Sequence, residues 1–232
     1  MNTARIAELL APFLGSTVAS TRPCHFEPAT ASEEPVVLSS MQLHSISTYI
    51  DLLLRWNARV NLTAVRDPEQ IVTRHFGESF FAARHLFPKS GGPCNLADLG
   101  SGAGFPGIPI KLWAPQIRIT LIESNHKKVA FLREVTRALT LTDVNIVAAR
   151  AESLSELTFD VVTLRAVERF ETILSIAARL VAPGGRLALL ISSAQLDQAR
   201  SSLPSLSWSP PEPLPLSRDR VLIVGSRCQQ SR

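Results

Sequence analysis

The stretch NLADLGSGAGFPG at residues 95–107 decides the fold class of this chain. Its first five residues form an apolar run typical of a buried strand, and glycines follow at positions 100, 102, 104 and 107. Glycine has no Cβ and adopts φ values that other residues avoid, so such a loop can turn sharply and lie close to a ligand. The stretch therefore predicts a strand that ends in a glycine-rich turn at the mouth of a nucleotide-type pocket.

The glycine spacing fits two kinds of cofactor loop. Gly100-x-Gly102-x-Gly104 matches the turn of S-adenosylmethionine methyltransferases, whereas the last three glycines match the GxGxxG fingerprint of dinucleotide enzymes. Glu123 ends a second apolar run about 20 residues further on, where either fold places a carboxylate that accepts both ribose hydroxyls. The loop and the acid predict a nucleoside cofactor, but they fit S-adenosylmethionine and a dinucleotide equally well.

Strand-like and helix-like segments alternate from residue 95 onward. Strands are predicted at 95–99, 117–123, 144–149, 159–164, 186–191 and 221–224, with a weak seventh at 206–208. Helices are predicted at 106–113, 126–139 and 168–181. This alternation is typical of a Rossmann-like α/β fold, a mostly parallel sheet with helices on both faces. The last strand is expected to run antiparallel.

Chain length favours methyl transfer over hydride transfer. Only about 80 residues follow residue 150, too few for the second half of a dinucleotide enzyme but enough to complete a seven-stranded methyltransferase sheet. Pro106 also fits poorly with the close helix packing at the third glycine of the dinucleotide fingerprint. We therefore expect a methyltransferase domain at residues 94–232 that uses S-adenosylmethionine.

An N-terminal helical segment is predicted at residues 1–93. Ser39 and Gln42 have the spacing of a capping box, and apolar residues then recur at helical intervals. Asp67 followed by Pro68 is typical of a second helix start. Residues 16–38, rich in Ser, Thr, Pro and Glu without a period, predict a flexible connection.

Composition excludes several classes of protein. A chain of 232 residues with 45% hydrophobic content is long and apolar enough for a sizeable core. The three cysteines have neither disulfide-framework nor metal-ligand spacing, and the start of the chain is too charged for a signal peptide or membrane span, so a cytoplasmic location is expected. Residues 95–232 hold 16 basic and 12 acidic side chains, an excess that suits a polyanionic partner.

The residues after the fourth strand limit which atom can accept the methyl group. Amino-group methylation of adenine or cytosine commonly uses an Asn/Asp-Pro-Pro-aromatic element there, whereas this chain has Thr163-Leu164-Arg165-Ala166. Carbon-5 methylation of pyrimidines needs a thiolate, and Cys94 precedes the first strand, at the wrong end of the sheet. Guanine N7 has a free lone pair and needs no deprotonation. A site with an arginine and no general base would therefore be sufficient for methylation there, and proximity would supply most of the rate.

Five separate segments match the motifs of one family. They are RWNARVNLTAVRDPEQIVTRHFGES at 55–79, DLGSGAGFPGIPIKL at 98–112, IESNHKKVAFLREV at 122–135, RAES at 150–153 and FDVVTLRAV at 159–167. Over residues 38–191, with a weaker match at 220–224, the chain resembles ribosomal RNA small subunit methyltransferase G, also called the glucose-inhibited division protein B family. The resemblance implies a class I fold and methyl transfer from S-adenosylmethionine to N7 of a guanosine in 16S rRNA of the small ribosomal subunit. It implies no metal, and we expect a monomer.

The same motif matches imply the residues of the site. Those implied to bind the cofactor are Gly100, Gly102, Gly104, Phe105, Glu123, Ser124, Ala151, Glu152 and Arg165. Glu123 matches the family's ribose-holding acid, and Ala151-Glu152 is implied to lie beside the adenine. Arg165 is implied as the catalytic residue at the junction of cofactor and substrate, where it orients the guanine through O6. Contacts with the RNA, or alternatively with the cofactor, are implied for Lys127, Lys128 and Arg150.

The N-terminal helices are also implied to contribute to the site. Asn61, Arg66, Arg74 and His75 match the family's NLT...RH block, which would pack against the pocket. His75 alone is interpreted as a packing histidine, and Phe76, Phe80, Phe81 and Phe87 as core. Ile191-Ser192 stands where the family often has Lys-Gly, which leaves open any substrate contact there.

Two other functions stay open from the sequence. One is an RNA-binding module that keeps the methyltransferase fold without catalysis, which would show no S-adenosylmethionine binding. The other is methylation of a small molecule, which would show turnover without RNA.

Overall fold

The computed structural model describes residues 1–15, 36–87, 92–154, 157–165 and 170–229. Most of the connection predicted to be flexible at 16–38 lies outside these ranges, as does the predicted helix start at 168–169. Within them, no helix is long and apolar enough to cross a membrane.

The sheet is mostly parallel, as predicted. Its described strands are β1 (Asn95–Leu99), β2 (Arg118–Ile122), β3 (Val144–Val147), β4 (Phe159–Arg165), β5 (Val181–Ser192), β6 (Leu206–Trp208), β7 (Glu212–Pro213) and β8 (Arg220–Arg227). They are ordered β3-β2-β1-β4-β5-β8-β6, with β7 paired to β8. Strands β1 to β5 run parallel, and β8 runs antiparallel to β5, so the expected class I topology is confirmed.

Two details of the sheet differ from the sequence prediction. The two-residue strand β7 is an eighth strand that the apolar pattern does not mark. Strand β5 begins at Val181 instead of residue 186, because Phe159 pairs with Val181 before the register shifts and Val161 pairs with Arg186. Residues 183–185 form this irregularity, with Gly184 at φ 78°.

The described helices cover both faces of the sheet. They are α1 (Thr3–Leu14), α2 (Ser40–Asn57), α3 (Pro68–Gln70), α4 (Glu78–Leu86), α5 (Gly107–Trp113), α6 (His126–Ala138), α7 (Phe170–Leu180) and α8 (Leu196–Ser202). The predicted capping box is confirmed, since Gln42 N donates to Ser39 Oγ at 3.2 Å and Ser39 N donates to Gln42 Oε1 at 2.8 Å. Asp67 caps α3 through Gln70 N at 2.8 Å.

Helices α3 and α4 are joined by a π-helix at Ile71–Gly77, where the sequence predicts one continuous α-helix. Helix α1 packs tightly here, because a Cβ added at Gly77 would lie 2.5 Å from the Phe13 ring. A π-helix widens the turn by one residue and is frequent at functional sites. Apolar spacing does not reveal it, since the buried positions at Val72 and Phe76 fit either helix type.

Two apolar clusters lie on opposite faces of the sheet. The N-terminal helices pack on the first cluster, which joins Ile6 and Leu10 of α1 to Leu96 of β1. Helices α7 and α8 cover the second, around Leu164 of β4 and Leu189 of β5. A fully buried aliphatic side chain contributes about 2 kcal/mol, so Ile6 and Leu10, each 0% exposed, help to hold α1 against the other N-terminal helices.

Candidate active site

The glycine loop follows β1 directly, as predicted. Gly100, Gly102 and Gly104 have φ values of 66°, 58° and 88°, in the left-handed region that favours glycine. The backbone N–H groups of Gly100 and Ser101 donate to the Ile122 carbonyl at 2.9 and 3.1 Å. The loop is therefore tied to the end of β2 and lies at the carboxyl edge of the sheet, where open α/β folds bind ligands.

Gly107 allows α5 to pack closely on the sheet. A Cβ there would lie 2.6 Å from Leu121 Cδ2 and 2.7 Å from Asp98 Oδ2. This is the close helix packing that the third glycine of a GxGxxG fingerprint supports. The expectation that Pro106 fits poorly with such packing is therefore wrong, and the choice of cofactor rests on the other observations.

Tyr49, the only tyrosine in the chain, supports the loop from below. Its hydroxyl donates to the Ala103 carbonyl, and its ring stacks on Phe105 with centroids 5.3 Å apart and planes 2° apart. A Cβ added at Gly104 would collide with the Tyr49 hydroxyl. Local sequence patterns do not mark Tyr49, because the contact joins α2 to a loop 54 residues later.

We expect Tyr49→Phe to destabilise the fold by about 1–2 kcal/mol, since the buried Ala103 carbonyl loses its donor while the ring stack remains. Urea denaturation of both proteins measures the difference. A Phe variant as stable as the wild type would mean that the hydroxyl does not hold the loop.

Asp98 is a fully buried carboxyl beneath the loop, and the predicted site residues do not include it. Its two oxygens accept from Thr163 Oγ1 at 2.8 Å and from Gly107 N at 3.2 Å. Burial raises the pKa of Asp98 to about 6, although these hydrogen bonds oppose the shift. An acidic residue inside an otherwise apolar strand was the signal that could have identified it.

This raised pKa predicts how stability depends on pH. The folded pKa of Asp98 lies above the ordinary value of 3.8, so its contribution is fully present below about pH 4 and is lost as pH rises through 6. Relative to Asp98→Asn, the wild type should lose about 3 kcal/mol between these limits. Urea denaturation of both proteins at pH 4, 5, 6 and 7 measures this, and a constant difference would contradict it.

Glu123 joins the end of β2 to the glycine loop. Its side chain is largely buried, and its oxygens accept from Gly102 N at 2.9 Å and from Asn125 N at 2.8 Å. A pocket of about 190 Å³ lies in front of it, with apolar walls that include Ile122 and Ile173. The implied site residues that line this pocket are Gly100, Glu123, Ser124, Arg150, Ala151 and Glu152.

Six implied residues do not line this pocket, namely Gly102, Gly104, Phe105, Lys127, Lys128 and Arg165. Lys127 and Lys128 are at the start of α6, where their N–H groups donate to Asn125 Oδ1, and neither lines the pocket. Phe105 is 8% exposed and lies in an aromatic stack between Tyr49 and His75, so its ring packs in the core. Arg150, implied as an RNA contact, lines the same pocket as Glu123.

Arg165 ends β4 and turns toward the π-helix. Its side chain is only 8% exposed, and Nη2 lies 3.1 Å from Glu78 Oε2. The same nitrogen donates to the Arg74 carbonyl at 2.7 Å and to His75 Nδ1 at 3.0 Å. Burial lowers the pKa of Arg165 to about 10, so the guanidinium stays charged at neutral pH.

His75 is a neutral, fully hydrogen-bonded side chain. Burial, with Arg165 nearby, lowers its pKa to about 3. Since Nδ1 accepts from Arg165, the ring proton is on Nε2, which donates to Thr63 Oγ1 at 2.8 Å. The ring also stacks on Phe105 with centroids 4.8 Å apart. These contacts agree with the packing interpretation, and they connect Arg165 to the glycine loop through two rings.

Glu78 is shared by two arginines. Arg220, on β8, lies 3.1 Å from the same oxygen that contacts Arg165. Glu78 lies within one of the family motifs but has no predicted role, and Arg220 is not among the predicted site residues. Tertiary contacts bring Glu78 and Arg220 to the end of β4. Because both are distant from Arg165 in the sequence, local patterns do not reveal this cluster.

The fold and this pocket define the class of the protein. The order of the strands, the antiparallel β8 and the glycine loop beside Glu123 are those of a Rossmann-like class I methyltransferase. Residues 42–209 match the model of the family described as rRNA small subunit methyltransferase G. The chain belongs to this family.

Relatives of the same name support the assignment. The ribosomal RNA small subunit methyltransferase G of Xanthomonas oryzae pv. oryzae is 46% identical over 140 residues, covering 60% of this chain and 64% of that protein. That of Xanthomonas axonopodis pv. citri is 41% identical over 169 residues, covering 72% and 76%. The match thus spans less than two thirds of the first of these relatives.

Solved structures show the same fold at low identity. A ribosomal protein L11 methylase from Lactobacillus delbrueckii subsp. bulgaricus superposes with a TM-score of 0.57 at 14% identity, covering 67% of this chain and 79% of that one. A tRNA m1G37 methyltransferase from M. jannaschii gives 0.52 at 13% identity, covering 66% and 48%. These similarities support the fold alone.

Proposed function

We propose that this protein transfers a methyl group from S-adenosylmethionine to N7 of a guanosine in 16S rRNA of the small ribosomal subunit. The observation that carries the proposal is that the family match at 42–209 includes both the glycine loop with Glu123 and the block that holds Arg165. The proposed substrate places the protein in the cytoplasm, and we propose that it acts as a monomer.

The pocket at Glu123 has the chemistry that the cofactor needs. Each oxygen of Glu123 accepts one backbone N–H and keeps a second lone pair, so two ribose hydroxyls can still be bound. Ile122, Ala149 and Ala151 offer an apolar wall for the adenine. A Cβ at Gly102 would meet only the Gly100 carbonyl, at 3.7 Å, so the loop leaves space for the methionine part. When bound, S-adenosylmethionine supplies an electrophilic methyl group.

The groups at the end of β4 suit an acceptor that is not deprotonated. His75 Nδ1 accepts from Arg165, and Glu78 Oε2 lies 3.1 Å from a nitrogen of both Arg165 and Arg220, so both groups interact with the arginines. Arg165 Nε has no hydrogen-bond partner in the part of the chain that the structure describes. In the proposed mechanism Arg165 donates to O6 of guanine and holds N7 in line with the methyl group, while proximity supplies most of the rate.

The RNA would extend over the basic side chains near the pocket. Lys127 is exposed at the start of α6 and Arg150 is exposed at the pocket rim. Each phosphate contact releases counterions, so binding should weaken steeply with salt. We propose these two residues and the neighbouring Lys128 as backbone contacts.

Methyl transfer to defined RNA tests the proposal. The protein is incubated with labelled S-adenosylmethionine and with 30S subunits, or 16S rRNA, lacking the modification, and the product is mapped. One methyl at N7 of a single guanosine is expected. A methyl on another base would overturn the assignment, turnover without RNA would favour a small-molecule substrate, and calorimetry without S-adenosylmethionine binding would favour a non-catalytic RNA-binding module.

A further inference from the structure

A second pocket lies beside Arg165, at the carboxyl end of β5. It has a volume of about 200 Å³ and is lined by Arg74, Phe170, Leu190, Ile191, Ser192, Gln195, Asp219 and Arg220. It shares no residue with the pocket at Glu123. The π-helix contributes Arg74, and the antiparallel pairing of β5 with β8 sets Arg220 opposite Ser192.

The polar groups of this pocket are mainly hydrogen-bond donors. Gln195 Oε1 accepts from Ser192 N at 3.1 Å and from Ser192 Oγ at 3.0 Å, which leaves the Nε2 amide without a partner in the described chain. The Arg74 side chain is exposed and makes no hydrogen bond or ion pair with the described residues. An anion would satisfy both groups.

The charge around the pocket is positive. Its lining carries Arg74 and Arg220 against one acid, the exposed Asp219. Below the lining, Arg220 and the buried Arg165 share the single carboxylate of Glu78. Asp98 also attracts Arg165, but more weakly than Glu78, and its own oxygens are held by Thr163 and Gly107. A buried cation without full compensation is costly, and a cleft lined by such charge concentrates anions.

The cation at this edge comes from β8. Strand β5 has Ile191-Ser192 at its end, where the family motif often has Lys-Gly, so β5 itself offers no positive side chain there. Arg220 is the cross-strand partner of Ser192 and puts a guanidinium at the same edge. Arg220 Nη2 faces Glu78 and donates to the Leu190 carbonyl at 3.4 Å, so Nη1 is the end of the guanidinium left to donate to a phosphate.

We propose that this pocket binds a backbone phosphate of the RNA next to the target guanosine, with Arg74, Arg220 and Gln195 as donors. The inference rests on the proposed function, because Arg165, the proposed guanine contact, and Arg220 share Glu78. Arg74 and Arg220 thus select where the RNA chain passes, while Arg165 contacts the base.

Salt-dependent RNA binding tests this inference. Affinity of the full chain for unmodified 16S rRNA is measured by filter binding between 50 and 300 mM salt for the wild type, Arg74→Gln and Arg220→Gln. Each variant should bind about tenfold more weakly at low salt and should reduce the slope of log K against log salt by about 0.7–0.9. Calorimetry should show unchanged S-adenosylmethionine affinity. Arg118→Gln, which removes an exposed charge at the start of β2, is the matched control and should leave the slope unchanged.

The outcomes separate this inference from the proposed function. A wild type that methylates no 16S rRNA overturns the proposed function. An active wild type whose slope is unchanged in Arg74→Gln overturns the inference, even if Arg220→Gln fails to fold, because the Arg74 side chain has no partner in the described chain to lose. If micromolar inorganic phosphate displaces the RNA at matched ionic strength, the pocket is a site for a free anion. That result would also overturn the inference.

Discussion

Arg165→Lys is expected to lower kcat for methylation of 16S rRNA by about 100-fold, the cost of misplacing a reacting group by roughly 1 Å. Lysine keeps a positive charge near Glu78 but has no planar fork. It would lose at least one of the contacts that now orient the side chain, those with the Arg74 carbonyl and with His75 Nδ1. The guanine would then be held in several orientations, and few would align N7 with the methyl group.

The variant should stay folded, because Glu78 keeps Arg220 at 3.1 Å. Circular dichroism and calorimetry with S-adenosylmethionine check the fold and the cofactor site. Arg118→Lys, at the amino end of β2, is the control for an arginine-to-lysine change that leaves the site intact. A folded Arg165→Lys protein with wild-type kcat would remove Arg165 from the mechanism.

Glu123→Gln is expected to weaken S-adenosylmethionine binding by about 100-fold. The carboxylate would accept two ribose hydroxyls, and a hydrogen bond to a charged acceptor contributes about 1.5–3 kcal/mol. The amide keeps only one accepting oxygen, and that oxygen must also serve the Gly102 or Asn125 backbone N–H. The ribose hydroxyls and the backbone N–H groups would therefore compete for the same amide oxygen.

Calorimetry with S-adenosylmethionine measures this loss directly, and kcat at saturating cofactor should fall far less than affinity. Glu134→Gln is the matched control, since Glu134 lies on α6 and lines a separate groove with Arg55 and Trp56. If Glu123→Gln binds the cofactor as tightly as the wild type, the carboxylate does not hold the ribose.

Most of the fold could be predicted from local patterns. The apolar runs, the glycine loop and the caps at Ser39 and Asp67 each depend on residues a few positions apart, so sequence spacing reports them directly. The antiparallel β8 was also predicted. Local patterns missed the early start of β5 at Val181, the short strand β7 and the π-helix at Ile71–Gly77, all of which follow from packing against other elements.

The site residues also fall into those that local motifs predict and those that only tertiary packing reveals. Gly100, Glu123 and Ala151 could be predicted because each lies in a matching motif that follows a strand, and all three line one pocket. Asp98 and Tyr49 were missed, since their importance comes from burial beneath the loop, which spacing does not report.

By itself, the sequence determined the class of fold, the place of the cofactor loop and the family, because these depend on short-range periodicity and on motifs of adjacent residues. Only the tertiary structure decided what surrounds Arg165. Its partners are His75 and Glu78, about 90 residues earlier, and, through the shared carboxylate, Arg220 on a later strand. Long-range packing excludes water from this cluster, so charges that would be screened on a surface become strong enough to orient one another.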